Sequence, residues 1–380
     1  RAMSISERFS THRVENQVVP LGPCNLYETD LALRDAVRRE GAGWADADLA
    51  AFGAVGGDDM MGLGVVANEH EPALKAFDLN GNRIDEVEFQ PSWHWLMERA
   101  VGFRLQAAPW VAQAEGSTTA HVRRAAGFMA WSHTDPAHGC PISMTYAAVP
   151  ALRRDEDLAA QWVPGLTAHV YAPALKVPSD KPGLIAGMAM TEKQGGSDVR
   201  ANTTRAVAAP DGSYRLTGHK WFTSAPMCDL FLDLAQAPGG LSCFLVPRVL
   251  PDGTRNTFRI QRLKEKLGNR SNASSEPEFD NTVGWLIGGE GNGVKTIIDM
   301  VNFTRLDCVI GSAGLMRKTL VEAGHHARYR AAFGANLIDQ PLMRNVLADL
   351  ALESEAATTL GMRLAGAADR SMRGDESETS

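Results

Sequence analysis

Met188-Ala-Met-Thr-Glu-Lys-Gln-Gly-Gly-Ser-Asp-Val199 joins a strand-like apolar run, Leu184 to Met190, to a polar turn at Gly195-Gly196-Ser197. Thr191 and Ser197 supply hydroxyls, and the paired glycines let a ligand approach the backbone closely. Such a loop can hydrogen-bond one edge of a planar polar ring. The same pattern also suits a strand that merely ends in a turn, so its meaning depends on what flanks it.

Upstream, residues 1–183 read as helical. Leu31-Ala-Leu-Arg-Asp-Ala-Val37 has apolar residues at helical spacing, with Thr29 or Asp30 as cap. A longer helix is expected from Pro91, a residue suited to a first turn, through Trp93, Leu96, Met97, Val101 and Leu105, with Pro109 ending or kinking it. Thr119 to Trp131 is a third helix, with Arg123-Arg124 on its polar side, and a fourth follows Pro141. Four prolines between Pro164 and Pro182 mark a boundary.

Downstream, the periodicity changes. Ser213 to Phe222 alternates after the hairpin signal Asp211-Gly212. Short strands follow at 231–234, 243–246 and 257–260, with turns at Pro238-Gly-Gly240 and Pro251-Asp-Gly253. This predicts a small antiparallel barrel or sandwich over 184–289. Gly288-Gly-Glu-Gly-Asn-Gly293 has the glycine density of a phosphate loop but no βαβ unit around it, so it reads as a flexible helix entry. Residues 290–380 then hold two long helices, Val294 to about Arg330 and Gln340-Pro341 to about Arg370. In the first, Gly311-Ser-Ala-Gly314 allows a neighbouring helix to come close. Two helices with wide apolar stripes do not close a core alone, so at least two more are expected, and the C-terminal bundle reads as incomplete. The fold class is therefore α+β multidomain: a helical N-terminal domain (1–183), a middle β domain (184–289) and the first helices of a C-terminal bundle (290–380).

The chain has 380 residues, 44% of them hydrophobic and 22% charged, which suits two or three globular domains. A net charge of −7 argues against nonspecific affinity for nucleic acid or membranes by the chain as a whole. Five scattered cysteines, with no CxxC pair, indicate neither a disulfide framework nor zinc, and suit a reducing cytoplasm. No signal-peptide core or membrane-length apolar run is present.

Four motifs in one order then give the 188–199 turn its meaning. They are that turn itself, His219-Lys-Trp-Phe-Thr-Ser224, Lys266-Leu-Gly-Asn-Arg-Ser-Asn272 with Glu278-Phe279, and Arg330-Ala-Ala-Phe-Gly334 with Gln340. Together they resemble the acyl-CoA dehydrogenase superfamily across nearly the whole chain. The versions at 190–198, 202–205, 266–273 and 25–27 resemble its AidB-like, alkylation-response branch. The resemblance implies FAD, a homotetramer, a cytoplasmic oxidoreductase and a further C-terminal region that binds double-stranded DNA. It places Met188, Met190, Thr191 and Ser197 on one side of the flavin ring. Trp221 and Phe222 lie near that ring, and Thr223 and Ser224 at its N5. Arg330, Phe333 and Gln340 would reach the pyrophosphate and adenine side of a neighbouring subunit's FAD, a task suited to a bidentate guanidinium.

The implied function is that of an FAD-dependent flavoprotein linked to the response to DNA alkylation. The alternative is a conventional dehydrogenase of short or branched acyl-CoA. No catalytic residue is assigned. The family's usual base would lie beyond Ser380, and the alternative position on the long helix is occupied by Thr304. Glu192 belongs to the flavin motif. Asp299 reads as solvated, and Asp307 as a partner of Arg305 or Arg344. His133 and His138, set apart by Pro136, do not make a metal pair, and no metal is expected. Arg317, Lys318, His325, Arg328 and Arg330 form a locally basic face that suits FAD and subunit contacts better than DNA phosphates.

Overall fold

The computed structural model describes residues 11–58, 60–375 and 377. The first element among the described residues is α1 (Leu31–Arg39), capped by Asp30, whose carboxylate accepts from the Leu33 N–H at 3.1 Å. α2 (Asp46–Gly57) and α3 (Met60–Glu69) follow. A hairpin, β1 (Ala73–Phe77) and β2 (Arg83–Glu88), then interrupts the region expected to be all helical. The Asn80-Gly81 pair in its turn, with Gly81 at φ +83°, is the local signal for it.

Next come α4 (Pro91–Gly102), α5 (Ala108–Ala114), α6 (Ala120–Trp131), α7 (Gly139–Leu152) and α8 (Glu156–Leu166). α4 stops short of Leu105 because Arg104 turns into the left-handed region at φ +60°. Pro109 therefore begins a new helix rather than ending an old one. α6 and α7 are buried on nearly every side and form the centre of the helical layer.

The middle region is a closed barrel with extra strands. β3 (Ala186–Ala189), β4 (Arg205–Ala208), β5 (Tyr214–His219), β6 (Thr223–Ser224), β7 (Leu230–Ala237), β8 (Gly240–Pro247), β9 (Phe258–Leu263) and β10 (Ser274–Ile287) share one sheet. The ring runs β7-β8-β10-β5-β4 and returns to β7. That closure decides between barrel and sandwich. It is not wholly antiparallel, since β3 and β4 both pair with β7 in parallel. β10 is the spine, pairing in turn with β6, β9, β5 and β8. The Gly288–Gly293 stretch is a tied turn: Glu290 accepts from the Gly239 N–H at 2.7 Å and the Tyr214 hydroxyl at 2.8 Å.

α9 (Gly293–Tyr329) and α10 (Pro341–Met372) close the described chain, joined by the short hairpin β11 (Ala331–Ala332) and β12 (Ala335–Asn336). Their inner faces find partners in the N-terminal region. A Cβ on Gly314 would stand 2.9 Å from the Met129 carbonyl of α6, so that glycine permits the close crossing. From α10, the Asp369 carboxylate accepts from the first N–H groups of α6, His121 at 3.0 Å and Val122 at 3.1 Å. Thr119, the expected start, makes no side-chain cap. Leu342, Val346, Leu350, Leu360 and Leu364 of α10 stay exposed.

Candidate active site

The turn after β3 and the strand ending at β6 lie side by side. The Trp221 N–H donates to the Thr191 carbonyl at 2.8 Å, and the Lys193 N–H to His219 Nε2 at 3.1 Å. Asn202 ties the turn further, its side-chain amide donating to the Met190 carbonyl at 2.8 Å. A Cβ on Gly196 would fall 2.4 Å from Thr191 Oγ1, so only glycine lets the turn fold over that hydroxyl.

Beneath the turn is a buried charge cluster. Glu192, fully buried, accepts from the Thr203 N–H at 2.7 Å and hydroxyl at 2.9 Å, the Thr204 N–H at 3.0 Å and the Gln194 amide at 2.8 Å. Burial would raise its pKa. The hydrogen bonds and the nearby Lys220 ammonium outweigh that and hold the carboxyl down at about 2. Glu192 is thus an anchor for the turn. Lys220 is fully buried and donates to the Leu234 carbonyl at 2.6 Å, with Glu192 at 3.4 Å. Asp233 behind it has neither carboxylate oxygen hydrogen-bonded, and burial pushes its pKa up to about 7.

In front of this wall opens a cavity of about 500 Å³. Met188, Phe222 and Ser224 form its β side, α6–α7 residues such as Phe128, Cys140 and Met144 a second side, and Thr304, Asp307 and Gly311 of α9 a third. Thr223, between the lining residues Phe222 and Ser224, is fully buried, and its hydroxyl has no hydrogen-bond partner. Trp221 is half-buried, with Lys264 Nζ 3.3 Å from its ring centroid. Ser197 is exposed.

The structure therefore brings together Met188, Met190, Thr191, Trp221, Phe222, Thr223 and Ser224. It does not bring Arg330, Phe333 and Gln340 to the same place. Arg330 is the C-cap of α9, 15 residues and about 22 Å past the cavity-lining Leu315 at 1.5 Å per residue, and Phe333 and Gln340 lie beyond it. There Arg330 donates to the Asn16 carbonyl at 2.6 Å, Gln340 donates to the Ala332 carbonyl at 3.0 Å, and Phe333 is fully exposed at φ +53°.

Several charged residues meet partners other than those expected. Asp307 pairs neither with Arg305 nor with Arg344 but with Arg124 of α6, through a bidentate bridge with one arm at 2.8 Å, both side chains buried. Arg124 also donates to the Leu105 carbonyl at 2.6 Å and stacks 3.8 Å over the Tyr146 ring. Arg124 was thus misread as part of a polar face. Asp299 is bridged to Arg154 at 2.6 Å rather than free in solvent. The basic face of α9 is engaged by the chain's own N-terminal segment: Arg317 donates to the Thr29 carbonyl at 2.9 Å, and His325 Nε2 lies 2.7 Å from the Val19 carbonyl. Thr304 lines the cavity with its hydroxyl donated to Val301, and the carboxylate one turn further on is Asp307. Among the described residues no cluster of His, Cys, Asp or Glu could hold a metal, and no single helix is long and apolar enough to cross a membrane.

Comparison with known proteins gives this arrangement its family. The model for the N-terminal domain of the adaptive response protein AidB matches residues 16–173. The acyl-CoA dehydrogenase middle and C-terminal domain models match 187–282 and 291–379. The AidB protein of Escherichia coli is 49% identical over 364 residues, covering 95% of this chain and 67% of that protein. Acyl-CoA dehydrogenase family member 11 of Caenorhabditis elegans is 30% identical, and the chain spans 54% of its length. The solved structure of C. elegans ACDH-11 in complex with C11-CoA superposes with a TM-score of 0.86 at 27% identity, over 100% of this chain and 66% of that one. Acyl-CoA dehydrogenases are FAD enzymes. In motif order, in domain order and in the closed barrel that follows one helical region in sequence and precedes another, the chain belongs to the acyl-CoA dehydrogenase family, in its AidB-like branch.

Proposed function

We propose that this chain holds FAD, with the flavin ring against the 188–191 turn and the 221–224 strand, and that the cavity in front receives an acyl thioester. The observation that carries this reading is the cavity itself: Met188, Phe222 and Ser224 form its β side, and the turn and strand that hold them are tied at Thr191 and Trp221. Thr223, between Phe222 and Ser224 in sequence, is buried with its hydroxyl unpartnered, a costly state, and is the residue we assign to a ring nitrogen of the flavin. When bound, FAD supplies a hydride acceptor. The chain's own residues do the rest. Met188 and Phe222 exclude water, the Gly195-Gly196 turn allows close backbone approach, and Glu192 and Lys220 keep that turn rigid. Arg330, Phe333 and Gln340, presented together at the far end of α9, suit a neighbouring subunit's cofactor in a homotetramer. ACDH-11, with its C11-CoA, supports an acyl-CoA class of substrate.

The test is spectroscopic. The purified protein should be yellow, and an acyl-CoA chain-length panel should bleach the flavin band under anaerobic conditions. Thr223→Val should lower flavin content while leaving the apo-protein no less stable. Flavin content unchanged in that variant, or no bleaching by any chain length, overturns the corresponding half of the reading.

A role in the alkylation response, in the cytoplasm, is supported by the 49% identity to AidB and by the five free cysteines. Binding to double-stranded DNA would use a region outside this chain, because Arg317 and His325 are engaged by the chain's own N-terminal segment. A gel shift that weakens with salt, seen with a longer form of the protein and absent with residues 1–380, is the expected result. A shift of equal strength with both would refute that division.

A further inference from the structure

A second cleft, of about 220 Å³, opens between the β1–β2 hairpin and the β8–β9 connection, and shares no lining residue with the cavity described above. Four arginines line it: Arg83, Arg248, Arg255 and Arg259. Three have carboxylate partners, Arg83 with Asp85 at 2.8 Å, Arg255 with Glu86, and Arg259 with Asp280 at 3.1 Å. Arg248 has none among the described residues. It is buried, donates to the backbone carbonyls of Pro226 and Asp85, the latter at 2.6 Å, and lies 4.9 Å over the Phe258 ring. Burial pushes its pKa down to about 10, against the pull of the nearby Asp85 carboxylate.

Four cations against three carboxylates leave one positive charge in a confined space, and a buried cation is costly unless an anion meets it. Donors are also left over. Each guanidinium offers five N–H groups, and Arg255 spends two of its own, on the Ile84 carbonyl and Glu86. We propose that this cleft binds a small phosphate-bearing anion, a monophosphate or diphosphate group, held by Arg248 at its base and by Arg255 and Arg259 at its mouth. Arginine suits this task because its planar fork meets two phosphate oxygens at once. Arg83 is committed to Asp85 by two bonds and to the Ile260 carbonyl at 3.0 Å, so its part is to hold the wall.

The test is calorimetric titration of the full chain, as purified, with inorganic phosphate, pyrophosphate and ADP at matched ionic strength. Arg255→Ala/Arg259→Ala is the test variant, since both side chains are over a third exposed and their loss leaves the fold intact. Arg13→Ala, exposed and outside the cleft, is the control. Saturable binding of at least one anion is expected, weakened about tenfold or more in the double variant and unchanged in the control. Pyrophosphate binding as tightly as ADP assigns the site to a free phosphate group. ADP binding much more tightly assigns it to the phosphate end of a nucleotide. No saturable heat with any of the three, or equal affinity in the double variant, overturns the proposal and leaves the arginines as ties between hairpin and barrel.

Discussion

Arg124 and Asp307 face each other from helices 183 residues apart, and breaking that bridge is the sharpest test of how the cavity wall is held. Both side chains are almost wholly buried, at 1% and 3% exposure, so solvent screens them little. With charge centres about 4 Å apart and an effective dielectric constant of about 20, their attraction is about 4 kcal/mol. Removing one partner strands the other as a buried charge, at a cost of about 3–5 kcal/mol. Asp307→Leu and Arg124→Met should each destabilise the helical layers by that amount. Arg124→Met also gives up the hydrogen bond to Leu105 and the ring contact with Tyr146, so it should be the worse of the two. The double variant replaces the pair with apolar groups and should recover to within about 1–2 kcal/mol of the parent. Urea denaturation followed by far-UV circular dichroism at neutral pH gives the three values. Either single variant losing less than about 1 kcal/mol, or a double variant no better than the sum of the singles, would refute the reasoning.

Three further outcomes follow from residues already described. Glu192 and Asp233 should impose opposite pH slopes. Glu192, depressed to about 2, contributes stability that is present above its ordinary range and is lost as pH falls through that range towards 2. The difference is worth about 3 kcal/mol at 1.36 kcal/mol per unit, and Glu192→Gln should flatten the acid limb of the stability curve. Asp233, raised to about 7 by burial, contributes most below its ordinary range and progressively less as pH rises to 7, so Asp233→Asn should gain on the parent as pH increases from 4 to 8. Gly187→Ala should cost about 1–3 kcal/mol, because the new Cβ would sit 2.3 Å from the Phe231 ring inside the barrel; equal thermal stability of the two proteins would count against it. Asp369→Ala should cost about 1–2 kcal/mol and speed hydrogen exchange at the His121 and Val122 amides, with other α6 amides far less affected.

Much of the fold was legible because its signals are local. Asp30 caps α1, Pro91 opens α4, and the Asp211-Gly212 and Pro238-Gly-Gly240 turns mark their hairpins. The full length of β10, the barrel's spine, has no simple local signal, since it contains Pro277 and Asn281, the latter at φ +53° at a register shift against β5. Here the Asn256 side chain fills the broken ladder, donating to the Val283 carbonyl and accepting from its N–H. In the site, the turn and strand beside the cavity followed from contiguous motifs. The far wall did not, since Phe128, Cys140, Thr304 and Asp307 come from three helices and meet only in the folded chain. Arg124 shows why: an arginine next to Arg123 on an amphipathic helix looks solvated, and only the carboxylate 183 residues later makes it a core residue.

Asp369 has a consequence for the order in which this protein is assembled. The opening turn of α6, near the middle of the helical layer, lacks a side-chain acceptor from its own neighbourhood and receives one from 247 residues downstream. During synthesis, the amides of His121 and Val122 have no such acceptor until Asp369 has also left the ribosome, so the start of α6 is completed only when α10 packs against it.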